Sequence, residues 1–255
     1  KRESIQPILS ILQELGEVNE NKINLPQNQA ALLAQLPDIN RWVGGEHLQA
    51  LAKKLVNFSG IQEVPAPDNL VAELRDYQKD GLNWLMFLNE YGFSGVLADD
   101  MGLGKTVQTL AYLAYKKQLG LLTLPSMVIC PTSLVSNWLN EAVKFTPDLK
   151  VLVLHGVNRH QHFKDINNYD LVITTYPLIA RDFKEFTEIS FSDLILDEAQ
   201  TIKNLLAKMT KSIKLLDAKQ RLCLTGTPME NHLGELWSLF DFLMPGFLGS
   251  YSTFN

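Results

Sequence analysis

"LADDMGLGKTVQTL", residues 97–110, decides how the rest of the chain is read. Gly102-Leu103-Gly104-Lys105-Thr106 has the ending of a phosphate-binding loop of the form G-x-x-x-x-G-K-[ST]. Asp99 holds the place of that pattern's first glycine. Before the loop, "SGVLA" (94–98) reads as a buried strand, and after it "KTVQTLAYLAYKK" (105–117) reads as a helix. A loop from strand to helix points backbone N–H groups, and about half a positive charge, at an anion. Gly102 and Gly104 allow close backbone approach. Lys105 would reach the β- and γ-phosphates, and Thr106 would ligate Mg2+. The plainer reading is a Gly-containing turn, and the loop alone leaves both open.

In "FSDLILDEAQ" (191–200) an apolar run ends in Asp197-Glu198. A carboxylate at such a strand end can hold Mg2+, and its neighbour can orient or deprotonate an attacking water. A solvated strand end would look the same in isolation. The Gly-Lys-Thr loop upstream makes coincidence a poor explanation, and a water-activating Glu points to hydrolysis. The runs "SMVIC" (126–130), "KVLVLH" (150–155), "DLVITT" (170–175) and "RLCLTG" (221–226) are further strands. Helical stretches such as "SLVSNWLNEAVKF" (133–145) and "KNLLAKMTKSIKLL" (203–216) separate several of them. That alternation predicts an α/β fold, a mostly parallel sheet with helices on both faces. Ligands then bind beyond the carboxyl ends of the strands.

The 255 residues are 46% hydrophobic and 20% charged, which suits a packed core. No apolar run approaches the roughly 18 residues that cross a membrane. A formal charge of −5 argues against a surface coated for nucleic acid, though a local basic track is compatible with it. Cys130 and Cys223 both lie in apolar strand-like runs and read as core residues, which fits a reducing, cytoplasmic setting. Residues 1–70 are expected to form a small helical segment and linker. Its apolar positions recur at helical spacing in 4–16, 26–36 and 45–58, and two prolines and a glycine follow in 59–70. Those helices are a candidate docking surface for a protein partner. Neither end of the chain has an obvious closing element, so a piece of a longer protein is expected.

"DDMGLGKT", "LDEAQ" and "LTGTPMENHLGELWSLFDFL" (224–243) together resemble the first, RecA-like motor lobe of Swi/Snf-type helicase-like ATPases, within the superfamily-two helicases. The resemblance covers 71–255 and is strongest to bacterial members, which would make the parent protein nucleoid-associated. It makes Asp99 the family's usual variant of the loop. It implies ATP and Mg2+ as ligands, with Asp99, Met101, Gly102, Leu103, Gly104, Lys105 and Thr106 around the phosphates. Catalysis falls to Lys105, Asp197 and Glu198, with Thr106 and Asp197 on Mg2+. Gln78, in "LRDYQKDGLNWL" (74–85), would hydrogen-bond adenine. Pro131, Thr132 and Ser133, and a second segment at Thr174 and Thr175, would grip double-stranded DNA by its phosphates. Gln200, Thr225, Gly226 and Thr227 would couple nucleotide state to DNA. One departure is Leu205, where the family often has proline. A second lobe of the parent chain would supply catalytic arginines, so this chain alone is expected to bind ATP and turn it over very slowly.

Other readings stand beside this one. Another superfamily-two motor, a restriction-type translocase or an RNA remodeller, is the runner-up, and "GTPMENHLGELWSLFDFL" (226–243) argues against it. A non-catalytic interaction module could share the fold. A GTPase is disfavoured, because "NKIN" (21–24) lacks the aspartate of N-K-x-D. Trp84, Trp138 and Trp237 fall on amphipathic stretches and read as core, while Trp42 beside Gly44-Gly45 has no clear place. Tyr115-Lys116-Lys117 reads as an exposed helix end. His155, His160 and His162 have no Cys or acidic cluster to complete a zinc set.

Overall fold

The computed structural model describes residues 58, 60–204, 207–228 and 233–254, with the backbone of 18–19 and 22–23. The chain divides into two units, Lys1–Gly60 and Ile61–Asn255. Of the first, Val18–Asn19 pairs antiparallel with Lys22–Ile23. The helical runs expected in 4–16 and 26–36 lie outside the described residues, as does nearly all of that in 45–58.

The second unit is built on six parallel strands: β1 (Gly95–Leu97), β2 (Ser126–Cys130), β3 (Val151–Val153), β4 (Leu171–Thr175), β5 (Ser190–Asp197) and β6 (Asp217–Leu224). Their order across the sheet is β1-β6-β5-β2-β4-β3. Every residue of β2 and β4 is buried, as is β5 from Phe191 to Asp197, which is why these segments read as continuous apolar runs. Alternation sorts their side chains between two layers. Val128, Cys130, Ile173, Ile195, Leu222 and Leu224 join α1 (Asp76–Tyr91), α2 (Lys105–Gln118) and α3 (Val135–Phe145). Met127, Ile129, Val172, Leu194, Leu196 and Cys223 face the other way. They meet α4 (Tyr176–Arg181), α5 (Phe183–Thr187), α6 (Lys208–Lys214) and α7 (Leu233–Leu243). The two cysteines are therefore buried, free and on opposite faces.

Residues 61–70 are tied down on the second unit. The Val64 N–H donates to Asn83 Oδ1 at 2.8 Å, and Asp68 and Gln118 exchange two hydrogen bonds of 2.9 Å. The prolines keep this strap extended and remove donors that would otherwise need partners.

The strand order fixes what meets at the carboxyl edge. The loops after β1, β6 and β5 are neighbours, and they carry 98–104, 225–228 and Asp197-Glu198. On the far side of β5 come β2 and β4, ending at Pro131–Ser133 and Thr174-Thr175. β5 thus stands between the two groups.

One expectation is overturned at the opposite edge. Lys116 is buried, and its ammonium donates to both carboxylate oxygens of Asp193 at 2.8 and 2.9 Å and to Ser192 Oγ at 3.1 Å. Ser126 and Tyr112 add hydroxyls to the same carboxylate at 2.6 and 2.7 Å. Helical spacing marks the end of α2 as exposed only while the Asp193 opposite it is unseen. Of the three residues, Lys117 is the most exposed, and it pairs with Asp170 at 2.7 Å.

Candidate active site

The loop after β1 is braced from behind. Gly102 and Gly104 have φ of 82° and 79°, left-handed values that cost another residue roughly 1–2 kcal/mol. A Cβ on Gly104 would also meet Gln78 Nε2 at 2.6 Å. Tyr77 and Gln78, in the first turn of α1, both donate to the Leu103 carbonyl at 3.1 Å. Gln78 Oε1 accepts the Arg75 N–H at 3.0 Å. The amide expected to read adenine thus also props the loop, and it keeps a second N–H and a second lone pair.

Asp99 has a structural use. Its Oδ2 accepts Nε2 of the buried Gln108 at 2.8 Å, tying the start of the loop to the first turn of α2. Lys105 Nζ donates to the carbonyls of Asp99 and Asp100 at 2.8 and 3.1 Å, so the ammonium sits in the curl of the loop. Met101 stands at the tip, 80% exposed. Thr106 follows on the half-buried start of the helix.

At the end of β5, Asp197 is held at three atoms. Oδ1 accepts the Glu198 N–H at 3.0 Å, Oδ2 the Trp138 indole N–H at 2.8 Å, and the carbonyl the Tyr176 hydroxyl at 2.7 Å. Burial pushes the Asp197 carboxyl above its ordinary range, and the indole hydrogen bond opposes this. The Glu198 charge pushes the same way as burial, and Lys105 is near enough to pull against it, so loop lysine and strand-end carboxylate share one field. Burial keeps the Tyr176 phenol protonated, hence a donor.

Glu198 has φ of 51°, the one described non-glycine residue with positive φ. Such a conformation costs about 1–3 kcal/mol and persists where its surroundings over-determine it. The Thr201 hydroxyl and N–H both donate to the Glu198 carbonyl, at 2.7 and 3.0 Å. The corner aims the Glu198 carboxylate at Gln200, whose Nε2 donates to it at 2.7 Å. Gln200 Oε1 accepts the hydroxyl of fully buried Thr225 at 2.9 Å, and Thr225 Oγ1 accepts the Thr227 N–H at 3.1 Å. The Thr225 N–H reaches the Leu97 carbonyl at 3.2 Å, and a Cβ on Gly226 would come within 3.4 Å of Met101. The loops after β5, β6 and β1 are thus one hydrogen-bonded and packed unit.

Across β5 the outcome is mixed. Pro131 leads into a 3-10 turn, Thr132–Leu134, with Thr132 and Ser133 exposed. Thr174 and Thr175 are 0% and 2% exposed, and the Thr174 hydroxyl donates to the Leu154 carbonyl at 3.1 Å. Of the second segment expected to grip DNA, these two side chains are therefore not available to a phosphate, and only its backbone could be. β4 lies between two strands and is covered on both faces, so they point into protein. Leu205 and residues 229–232 lie outside the described residues. Sequence reasoning missed Gln108, Trp138 and Tyr176 as members of the site. Their partners lie 9, 59 and 21 residues away, and no spacing rule links them.

The SNF2-related domain family matches residues 77–255. The chain belongs to the SNF2 family. Among SNF2 relatives it is 41% identical over 216 residues to YwqA of Bacillus subtilis, covering 82% of this chain and 23% of that protein. It is also 41% identical over 246 residues to human TATA-binding protein-associated factor 172, covering 90% of this chain and 13% of the relative. The chain therefore spans less than a quarter of either. A solved structure, the Sulfolobus solfataricus SWI2/SNF2 ATPase core in complex with double-stranded DNA, superposes with a TM-score of 0.71 at 44% identity, over 76% of this chain and 40% of that one. The fold is the RecA-like α/β lobe of an SNF2 helicase-like ATPase.

Proposed function

We propose that this lobe binds Mg·ATP and, completed by a second lobe, hydrolyses it to move along double-stranded DNA and remodel DNA–protein complexes. The observation that carries this reading is the unbroken path from Glu198 through Gln200 and Thr225 to the Thr227 N–H, alongside the Lys105 loop. It joins the group that would activate water to the loop that would sense the phosphates. The archaeal neighbour's complex with duplex DNA and a relative associated with the TATA-binding protein support the substrate class.

The residues fit magnesium. Each Asp197 oxygen accepts one N–H and keeps a further lone pair. Among the described residues no group of three or more His, Cys, Asp or Glu could hold a metal ion by itself. Mg2+ is commonly bound by one or two carboxylates with substrate phosphates and waters, which suits a single Asp197 with Thr106. When bound, the ion would neutralise charge on the phosphates. Lys105 would hold the phosphates, Glu198 would orient or deprotonate the attacking water, and the braced loop would offer its N–H groups. Thr132 and Ser133 would meet DNA phosphates, contacts that position a protein without reading sequence. Two free, buried thiols support a reducing, cytoplasmic setting.

Steady-state ATP turnover tests the proposal, with duplex DNA, single strands, RNA or none, beside Glu198→Gln. This chain should stay near background throughout, since an arginine from a partner lobe is typically worth about 10³–10⁵ in rate. The parent motor should respond to duplex and lose that response in Glu198→Gln. Stimulation by RNA or single strands in place of duplex would overturn the duplex reading.

A further inference from the structure

A carboxylate at a strand end can rotate about its last side-chain torsion, which is broad. Asp197 cannot, because one oxygen is held by the Glu198 N–H and the other by the Trp138 indole. The first donor is local and comes with the chain. The second arrives from α3 on a side chain that is 0% exposed and packed in the same core as Val128, Cys130 and Ile195. A buried indole usually finds some acceptor. Here it has found the one carboxylate that the site requires in a fixed orientation. The indole is a donor only, so it can hold Asp197 without competing for a cation.

We propose that Trp138 is the positioning residue of the site: its indole N–H fixes the plane of the Asp197 carboxylate for Mg2+. The inference rests on the reading of Asp197 as the magnesium ligand. It also ties that ligand to α3, which begins directly after the exposed Thr132–Leu134 turn.

The test uses this chain and two readouts. ATP binding is titrated against Mg2+ in wild type, in Trp138→Phe, which keeps an aromatic ring and removes the donor, and in Trp84→Phe. Trp84 lies on α1, where it stacks on Phe87 at 5.5 Å, and serves as the control. Trp138→Phe should need about tenfold more Mg2+ for half-maximal ATP binding, the scale on which partners of metal ligands act. ATP binding without Mg2+ should not change, and Trp84→Phe should match wild type. The second readout is the Trp138 indole N–H resonance in wild type, assigned by replacing Trp42, Trp84 and Trp237 in turn. It should move with Mg·ATP and return with chelator, so this arm stands even if Trp138→Phe does not fold. An unchanged Mg2+ requirement in folded Trp138→Phe, or a resonance indifferent to Mg2+, overturns the inference alone. Wild type that shows no Mg2+-dependent ATP binding overturns the nucleotide reading and the inference with it.

Discussion

At the residue scale, Asp99 shows how a motif can depart from its general form. A glycine there would give the common phosphate loop but leave Gln108 Nε2 without its carboxylate. Asp99→Ala should therefore lower stability by roughly 1–3 kcal/mol, the worth of a hydrogen bond to a charged group, read from urea denaturation, since Gln108 Nε2 keeps only a 3.4 Å contact to the Gly104 carbonyl. Asp99→Asn, which keeps an acceptor, should recover much of it. Equal stability of Asp99→Ala and wild type would contradict the brace. The thiols give a second expectation. Burial pushes the Cys130 thiol up to about 12, and Cys223 higher still. Below such a value a thiol stays protonated and unreactive. Neither should react with a thiol reagent at pH about 8 until the lobe unfolds, and both should react in denaturant. The placement of Lys105, Asp197 and Glu198 beyond strand ends was legible because their spacing from a strand is itself the signal. Gln78 was legible as belonging to the site, but its engagement with Leu103 and Arg75 was not. Trp138 was legible only as core, since the packing that buries its ring says nothing of where its N–H points.

At the element scale, β2, β4 and β5 announced themselves as apolar runs, because each is covered on both faces. The order of those strands was not legible. It depends on crossovers, and it decides that β6 comes between β1 and β5. The burial of Lys116 was illegible for the same reason. Its partner Asp193 lies on β5, 77 residues away. This pair ties the far end of α2 to the middle of β5, the two elements that carry Lys105 and Asp197 at their site ends. Lys116→Met leaves the Asp193 carboxylate buried with only hydroxyl partners. It should cost about 3–5 kcal/mol of stability, the usual penalty for breaking one side of a buried ion pair. The double variant Lys116→Met with Asp193→Leu should recover part of that loss. A single variant as stable as wild type would show that the pair ties nothing.

At the scale of the whole molecule, two halves of one carboxyl edge meet across β5. One half is the braced loop with its Glu198–Gln200–Thr225 path, and the other is the Thr132–Leu134 turn with its exposed Thr132 and Ser133. Thr225→Val removes the hydroxyl that joins Gln200 to the Thr227 N–H. In the parent motor it should spare ATP binding and lower duplex-stimulated turnover, measured side by side, because it cuts the path without touching the loop. A loss of binding equal to the loss of turnover would place Thr225 in nucleotide binding instead. The central claim is simpler than any of these and should be tested first. Calorimetric titration of Mg·ATP into this chain, beside Lys105→Ala, is the direct measurement. Saturable one-to-one binding is expected in wild type, and binding at least about tenfold weaker in the variant, the loss of one charge-assisted contact. No binding in wild type, or equal binding in both, would contradict it.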